Sequence, residues 1–200
     1  TVNNSGLINS GNTTAIKAKS VDNHEGGRIY GDTVAIDANT VKNHTNSEIE
    51  QRYHKAGKDL EKAKNDLDAE WNADITQYKT KTELEAHRQR IKELTKAYDE
   101  AQENVSTIKK ELDTHKSGVI AGRNHVDINT DTINNTGKGF IYSGGTMDLT
   151  AKEGINNTGA TIKAVKSIEL DTPIVNNQNV ALGVKRVSDG IIKNPDKLKV

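Results

Sequence analysis

The chain has 200 residues, of which 32% are hydrophobic and 4% aromatic, too few apolar side chains to fill one compact globule of this length. Its 28 Lys and Arg balance 28 Asp and Glu, so no net charge draws the chain toward nucleic acid or an anionic membrane. There is no cysteine, which excludes disulfides, thiolate metal sites and thiol catalysis. No run of about 18 apolar residues and no charged-then-apolar start is present, so neither membrane insertion nor a signal peptide is predicted.

Residues 1–45 open in mid-pattern on "TVNNSG" and read as part of a longer chain. An apolar residue followed two positions later by Asn recurs at Asn4, Asn23 and Asn43, and again at Asn135, Asn157 and Asn177. The spacings are 19, 20, 92, 22 and 20 residues. Between these marks run short alternating segments such as "RIY", "VAIDA", "MDLTA" and "IELDT", punctuated by Gly, which predict short strands and turns. One such unit cannot bury its inward face alone, but copies stacked on one another can. The pattern therefore predicts a β-solenoid with Asn-Asn at a corner, each Asn carboxamide bonded to its copy above and below. Asn also tolerates the left-handed backbone of a sharp corner. Asn3, Asn43, Asn134 and Asn156 also satisfy the glycosylation sequon, the competing reading of these residues.

The spacing of 92 marks an insertion. "KSGVIAGRNHVDINTDTINN" (Lys116 to Asn135) aligns with "GGRIYGDTVAIDANTVKN" (Gly26 to Asn43), matching Ile120 to Ile29, Gly122 to Gly31, Val126 to Val34 and Ile128 to Ile36. Residues 47–116 hold 30 of the chain's 56 charged side chains, a single glycine, Gly57, and no proline, a helix-forming composition. Capping boxes are predicted at Ser47 with Glu50 and at Thr82 with Glu85. Apolar residues follow at helical spacing from Ile49 through Leu60, Leu67 and Trp71 to Ile75 and Tyr78, and from Leu84 through Ile91, Leu94 and Val105 to Leu112. Folding the segment at "YKTKT" pairs Ile49 with Leu112, Tyr53 with Ile108, Leu67 with Leu94 and Ile75 with His87, an antiparallel hairpin about 50 Å long. Trp71, Tyr78, Lys79 and Lys81 then fall near its tip and form a candidate partner contact. The alternative places Trp71 on Ile91 as core.

Residues 117–180 resume the repeats, and residues 181–200, with Pro195 and no Asn-Asn, read as a final irregular coil or linker. The six His are scattered, and His24 and His44 occupy equivalent repeat positions, which predicts a stacked surface pair rather than a metal site. No phosphate loop, nucleophile elbow or paired-carboxylate motif occurs, so no catalytic residue, cofactor or metal is expected.

The repeats "TVNNSGLINSGNTTAIKAK", "SVDNHEGGRIYGDTVAIDAN" and "GINNTGATIKAVKSIELDT" resemble the haemagglutinin repeats of filamentous haemagglutinin and its relatives, the exoproteins of bacterial two-partner secretion, which include adhesins and contact-dependent growth inhibition effectors. The resemblance covers residues 1–45 and 117 to about 180, and the helical insert is no part of it. It implies an all-β right-handed parallel β-helix, here interrupted by the coiled-coil hairpin. It further implies export through an outer-membrane two-partner secretion transporter and display at the bacterial cell surface, where a host or bacterial receptor is the expected partner. Function is then expected to be structural and adhesive, or to be that of a stalk carrying a toxin.

Overall fold

The computed structural model describes residues 1–178; the expected final coil or linker at 181–200 lies outside the described residues. Four strands come first: β1 (Val2–Asn4), β2 (Leu7–Asn9), β3 (Thr13–Asn23) and β4 (Arg28–Asn43). Two helices follow, α1 (Ser47–Trp71) and α2 (Lys81–Thr114), joined through a 3-10 turn at Ile75–Gln77. Six strands complete the described chain: β5 (Val119–Thr136), β6 (Phe140–Ser143), β7 (Thr146–Thr158), β8 (Thr161–Ala164), β9 (Ser167–Asp171) and β10 (Val175–Gln178).

The ten strands form one sheet with parallel pairing. Its registers put like on like: Val2↔Val21, Val21↔Val41, Val41↔Ile133, Ile133↔Ile155 and Ile155↔Val175 make one column. Ile8, Ile29, Ile120, Ile141 and Ile162 make a second, and Val34, Val126, Met147 and Ile168 belong to a third. The pairings of β4 with β5 include Ile29↔Ile120, Gly31↔Gly122, Val34↔Val126 and Ile36↔Ile128, so the expected partners meet across the insertion, with one shift of register between Gly31 and Thr33. Except for Ile168 and Val175, which are exposed, the side chains of these columns share one core. Alternation supplies it: in β5 and β7 every second residue is buried over most of the strand, and β-branched residues hold most of the buried positions of β5.

The expected fold class is corrected by this architecture. An all-β right-handed parallel β-helix interrupted by an antiparallel coiled-coil hairpin is not shown; the chain is an α/β fold, a parallel sheet with two helices of 25 and 34 residues. The repeat period determines which residues lie side by side in a parallel ladder, and that does not settle the class. Helix makes up 35% of the described residues. Their seam also fails to run through: buried apolar contact between them is confined to Ile49, Ala56, Leu60, Val105, Ile108 and Leu112 at one end. Leu67, Ile91 and Leu94 farther out are only half-buried.

Helix boundaries have local causes. Asn46, one residue before the expected cap, accepts from the backbone N–H of Glu48 and Ile49 at 3.1 and 3.2 Å, and Glu50 accepts in return from the N–H of Thr45 and Asn46. Thr80 with Glu83, not Thr82 with Glu85, forms the capping box of α2. α1 stops at Trp71 because short polar side chains compete for its backbone: Asn72 Nδ2 donates to the Asp68 carbonyl at 2.7 Å, and Asp74 caps the 3-10 turn through the Thr76 N–H. Ile75, expected opposite His87, is consequently outside the helices and 62% exposed. The helices run in opposite directions, since Arg52 pairs with Glu111 at 2.9 Å near the sheet and Glu70 with His87 at 2.8 Å near the turn.

Candidate functional site

The asparagines at the strand ends form a continuous file. Asn4 Nδ2 donates to Asn23 Oδ1 at 2.7 Å, and the same bond at 2.8 Å joins Asn23 to Asn43, Asn43 to Asn135, Asn135 to Asn157 and Asn157 to Asn177. The bond from Asn43 to Asn135 crosses the whole insertion. The second N–H of Asn23, Asn135 and Asn157 reaches a backbone carbonyl, so both donors of these carboxamides are used. Asn23, Asn43 and Asn135 are fully buried, which an unpaired amide would not tolerate. It also removes Asn43 from reach of a glycosylating enzyme. A second, outer file runs in the opposite sense, from Asn176 to Asn156 to Asn134.

The left-handed backbone positions are not the asparagines themselves. Glu25, Gly26, Gly137, Lys138 and Gly159 adopt positive φ just beyond them. Glycine is required for another reason at Gly27, Gly118 and Gly139. A Cβ at any of the three would strike the ladder carboxamide of its own rung and the carbonyl of the ladder Asn one rung back. Gly118 holds this place although 75 residues separate it from Asn43, so the helices emerge from within one corner.

At that corner the helical pair is latched to the sheet. Glu50, in the first turn of α1, accepts from the Thr136 hydroxyl at 2.6 Å as well as from the two backbone N–H groups of its own cap. Thr45 Oγ1 donates to the Gly137 carbonyl. On the α2 side Lys138 Nζ lies 2.6 Å from Asp113 and donates to the Leu112 carbonyl. Hydrogen bonds from Lys138 and then Lys109 hold the Asp113 carboxyl below the usual aspartate range. His44 is buried, stacks on His24 with centroids 5.6 Å apart, and meets Asp22 at 2.8 Å through Nε2. The sequence repeats no acid beside both histidines; Asp22, two residues before His24, reaches His44 from the preceding strand, and Glu50 lies 3.8 Å from His44 Nδ1.

A crevice of about 690 Å³ opens between the base of the helices and the corner, floored by Tyr53 and Leu112 and bordered by Lys55, Lys58, Lys109 and Lys138. Burial raises the Tyr53 phenol above its ordinary value. At the far end, Glu70 joins His87 Nδ1 and, at 3.2 Å, Arg90 Nε, while Tyr78 packs on His87 with centroids 4.7 Å apart. These residues line a shallow cleft of about 1080 Å³.

The structure brings the four tip residues together at this far end in different states. Trp71 is 50% exposed and does not enter a core with Ile91. Tyr78 is turned inward onto His87, Lys79 Nζ donates to the Thr76 carbonyl at 3.0 Å, and Lys81 sits 3.7 Å from Glu85. Sequence reasoning missed Glu50, Thr136 and Lys138 as a latch, because their partners lie in other rungs, and Ile75 as a surface residue, because the helix stop at Asn72 is a side-chain effect. Among the described residues no group of three or more His, Asp and Glu side chains converges as metal ligands, and no helix is long and apolar enough to cross a membrane. No family model, curated protein or solved structure matches the chain.

Proposed function

We propose that this chain is a non-catalytic structural and interaction segment of a secreted, surface-displayed bacterial adhesin, in which the parallel sheet is the scaffold and the helical pair is the element that meets a receptor. The observation that carries this reading is the asparagine file, unbroken from Asn43 to Asn135. A sheet whose asparagine file runs without a gap past the 71 residues 46–116 carries that segment as an appendage, held by a latch at its base and free at its outer end. The likeness of the repeats to haemagglutinin repeats supports export through a two-partner secretion transporter and a place on the cell surface. A stalk or receptor-binding segment of a contact-dependent growth inhibition protein rests on the same likeness.

Beads coated with the chain should attach to target cells, and beads coated with a variant in which Ser47–His115 is replaced by a short Gly-Ser bridge should not. Equal attachment by both overturns the role given to the helices. Lys79→Glu with Lys81→Glu should lower attachment at constant helix content, since both side chains are exposed.

A further inference from the structure

We infer that Glu25 and Lys138 form a two-sided clamp that fixes the direction in which the helical pair leaves the sheet, and that both hold strained backbone to do so. Among the described residues they are the only non-glycine residues with positive φ, at 46° for Glu25 and 70° for Lys138. In that left-handed region the Cβ of any residue but glycine crowds the backbone. Neighbouring corners show that glycine fits both places. Gly137 and Gly159, two residues past Asn135 and Asn157, stand where Glu25 stands past Asn23. Gly26, three residues past Asn23, stands where Lys138 stands past Asn135. All three of these glycines have positive φ.

The two charged residues differ from those glycines in what their side chains reach. The insertion leaves the corner after Asn43, between the corners of Asn23 and Asn135, its neighbours in the file. From the first, Glu25 Oε1 accepts from Nδ2 of Asn46, the N-cap of α1, and the Glu25 N–H donates to the Thr45 carbonyl at 2.8 Å. From the second, Lys138 Nζ lies 2.6 Å from Asp113 and donates to the Leu112 carbonyl at 3.4 Å, at the end of α2. An acid thus stands at the N-terminus of α1 and a base at the C-terminus of α2, each opposite in sign to the partial charge of that helix end. The last turn of α2 has no basic residue of its own, and Lys138 supplies one.

Stability does not account for these two residues. Both are exposed, where polar contacts contribute little, whereas left-handed backbone at a non-glycine residue destabilises the fold by at least as much. What the contacts supply is direction. Glu50, through Thr136, and Lys138 both tie the helices to the corner of Asn135, and ties on one side leave the pair free to tilt about them. Glu25 is the opposing tie, from the corner of Asn23.

The full chain has no cysteine, so spin labels on cysteines placed at Gln77 and Lys163, both exposed, read the distance from the outer turn to the sheet. Lys138→Ala removes the grip and keeps the left-handed Cβ, whereas Lys138→Gly removes both. Each should widen the distance distribution at least about twofold, and the glycine variant should melt about 2–4 °C above the alanine variant. Glu25→Ala and Glu25→Gly should behave in the same way. Lys138→Arg, which keeps the cation, should keep the parent's narrow distribution. Distributions as narrow as the parent's in the alanine and glycine variants, a glycine variant that melts no higher than its alanine counterpart, or a broad distribution in Lys138→Arg overturns the inference. None of these measurements uses a receptor, so a failed clamp leaves the role proposed for the helices standing, and failed attachment to cells leaves the clamp standing.

Discussion

The sheet and the helical pair are built on opposite kinds of order. In the sheet the core and corner side chains stand on copies of themselves: Ile on Ile through one column, Asn on Asn through another, with the corner carboxamides buried and bonded to one another. In the helical pair apolar contact is dense only beside the sheet, from Ile49 to Leu60 against Val105 to Leu112. Farther out polar contacts such as Glu70 with His87 take over, and the largest apolar residues face solvent. Repetition makes the first region stiff along its whole length. The second is anchored at one end, and its stability should decline toward the other.

The sharpest test of this contrast is a charge in the file of asparagines. Asn135→Asp exchanges two buried donors, aimed at Asn157 and the Thr161 carbonyl, for an acceptor-only group facing acceptors. The loss should be about 3–5 kcal/mol, as for an uncompensated buried charge. Asn157→Asp, nearer the end of the described stack, should cost about 1–3 kcal/mol. Chemical denaturation followed by strand circular dichroism measures both, and equal, small effects would remove the ladder as a source of order.

The helical pair should respond in a graded way. Leu60 is buried in the basal cluster, so Leu60→Ala should cost about 2–4 kcal/mol, whereas Leu67→Ala, half-buried about two turns outward, should cost clearly less. Hydrogen exchange along α1 and α2 would show the same gradient, with protection falling from Leu60 toward Trp71. Uniform protection would mean that the outer half is as well packed as the base.

How much could be read in advance follows from the same contrast. The spacing of Asn43 and Asn135 locates the insertion, and the alternation in "VAIDA" and "MDLTA" locates inward residues, because a repeated environment writes itself into repeated residue types. The fold class was not legible, since the period says what stacks and not how the layers are classed. Local competition hid the rest. Whether Ser47 or Asn46 caps α1, and whether α1 passes Asn72, depend on side chains with several acceptable backbone partners. The latch from Glu50 to Thr136 spans 86 residues and leaves no mark at either end.

Stacking like on like also has a cost on the outer face. Asp127, Asp148 and Glu169 are exposed and lie in one parallel column, each in register with the next. Like charges side by side on a sheet repel, so Asp148→Asn should stabilise the chain, by less than about 1 kcal/mol because water screens the column and contact with His125 at 3.7 Å is lost. Added salt should erase the gain. A destabilised variant would show that the carboxylate is held by contacts worth more than the repulsion.

The smallest effect is expected at the latch on the α2 side. Because Lys138 and then Lys109 depress the Asp113 carboxyl, its contribution is fully present above the ordinary aspartate range and is lost as pH falls through the lower folded-state value. Above that range the unfolded and folded chains both hold Asp113 ionised, and stability is flat with respect to this group. Acidification should therefore loosen the base of the pair before it disturbs the asparagine file, whose members carry no titrating group. Lys138→Met should abolish that difference by removing the first partner while keeping an unbranched side chain of similar length. Paramagnetic distance measurements between a label on the outer turn and one on β6 would report the loosening as a broader distribution at acid pH in the parent, and a broad distribution at all pH values in Lys138→Met. A parent distribution that stays narrow through the acid range would show that Glu50 and Thr136 alone fix the angle of the helices.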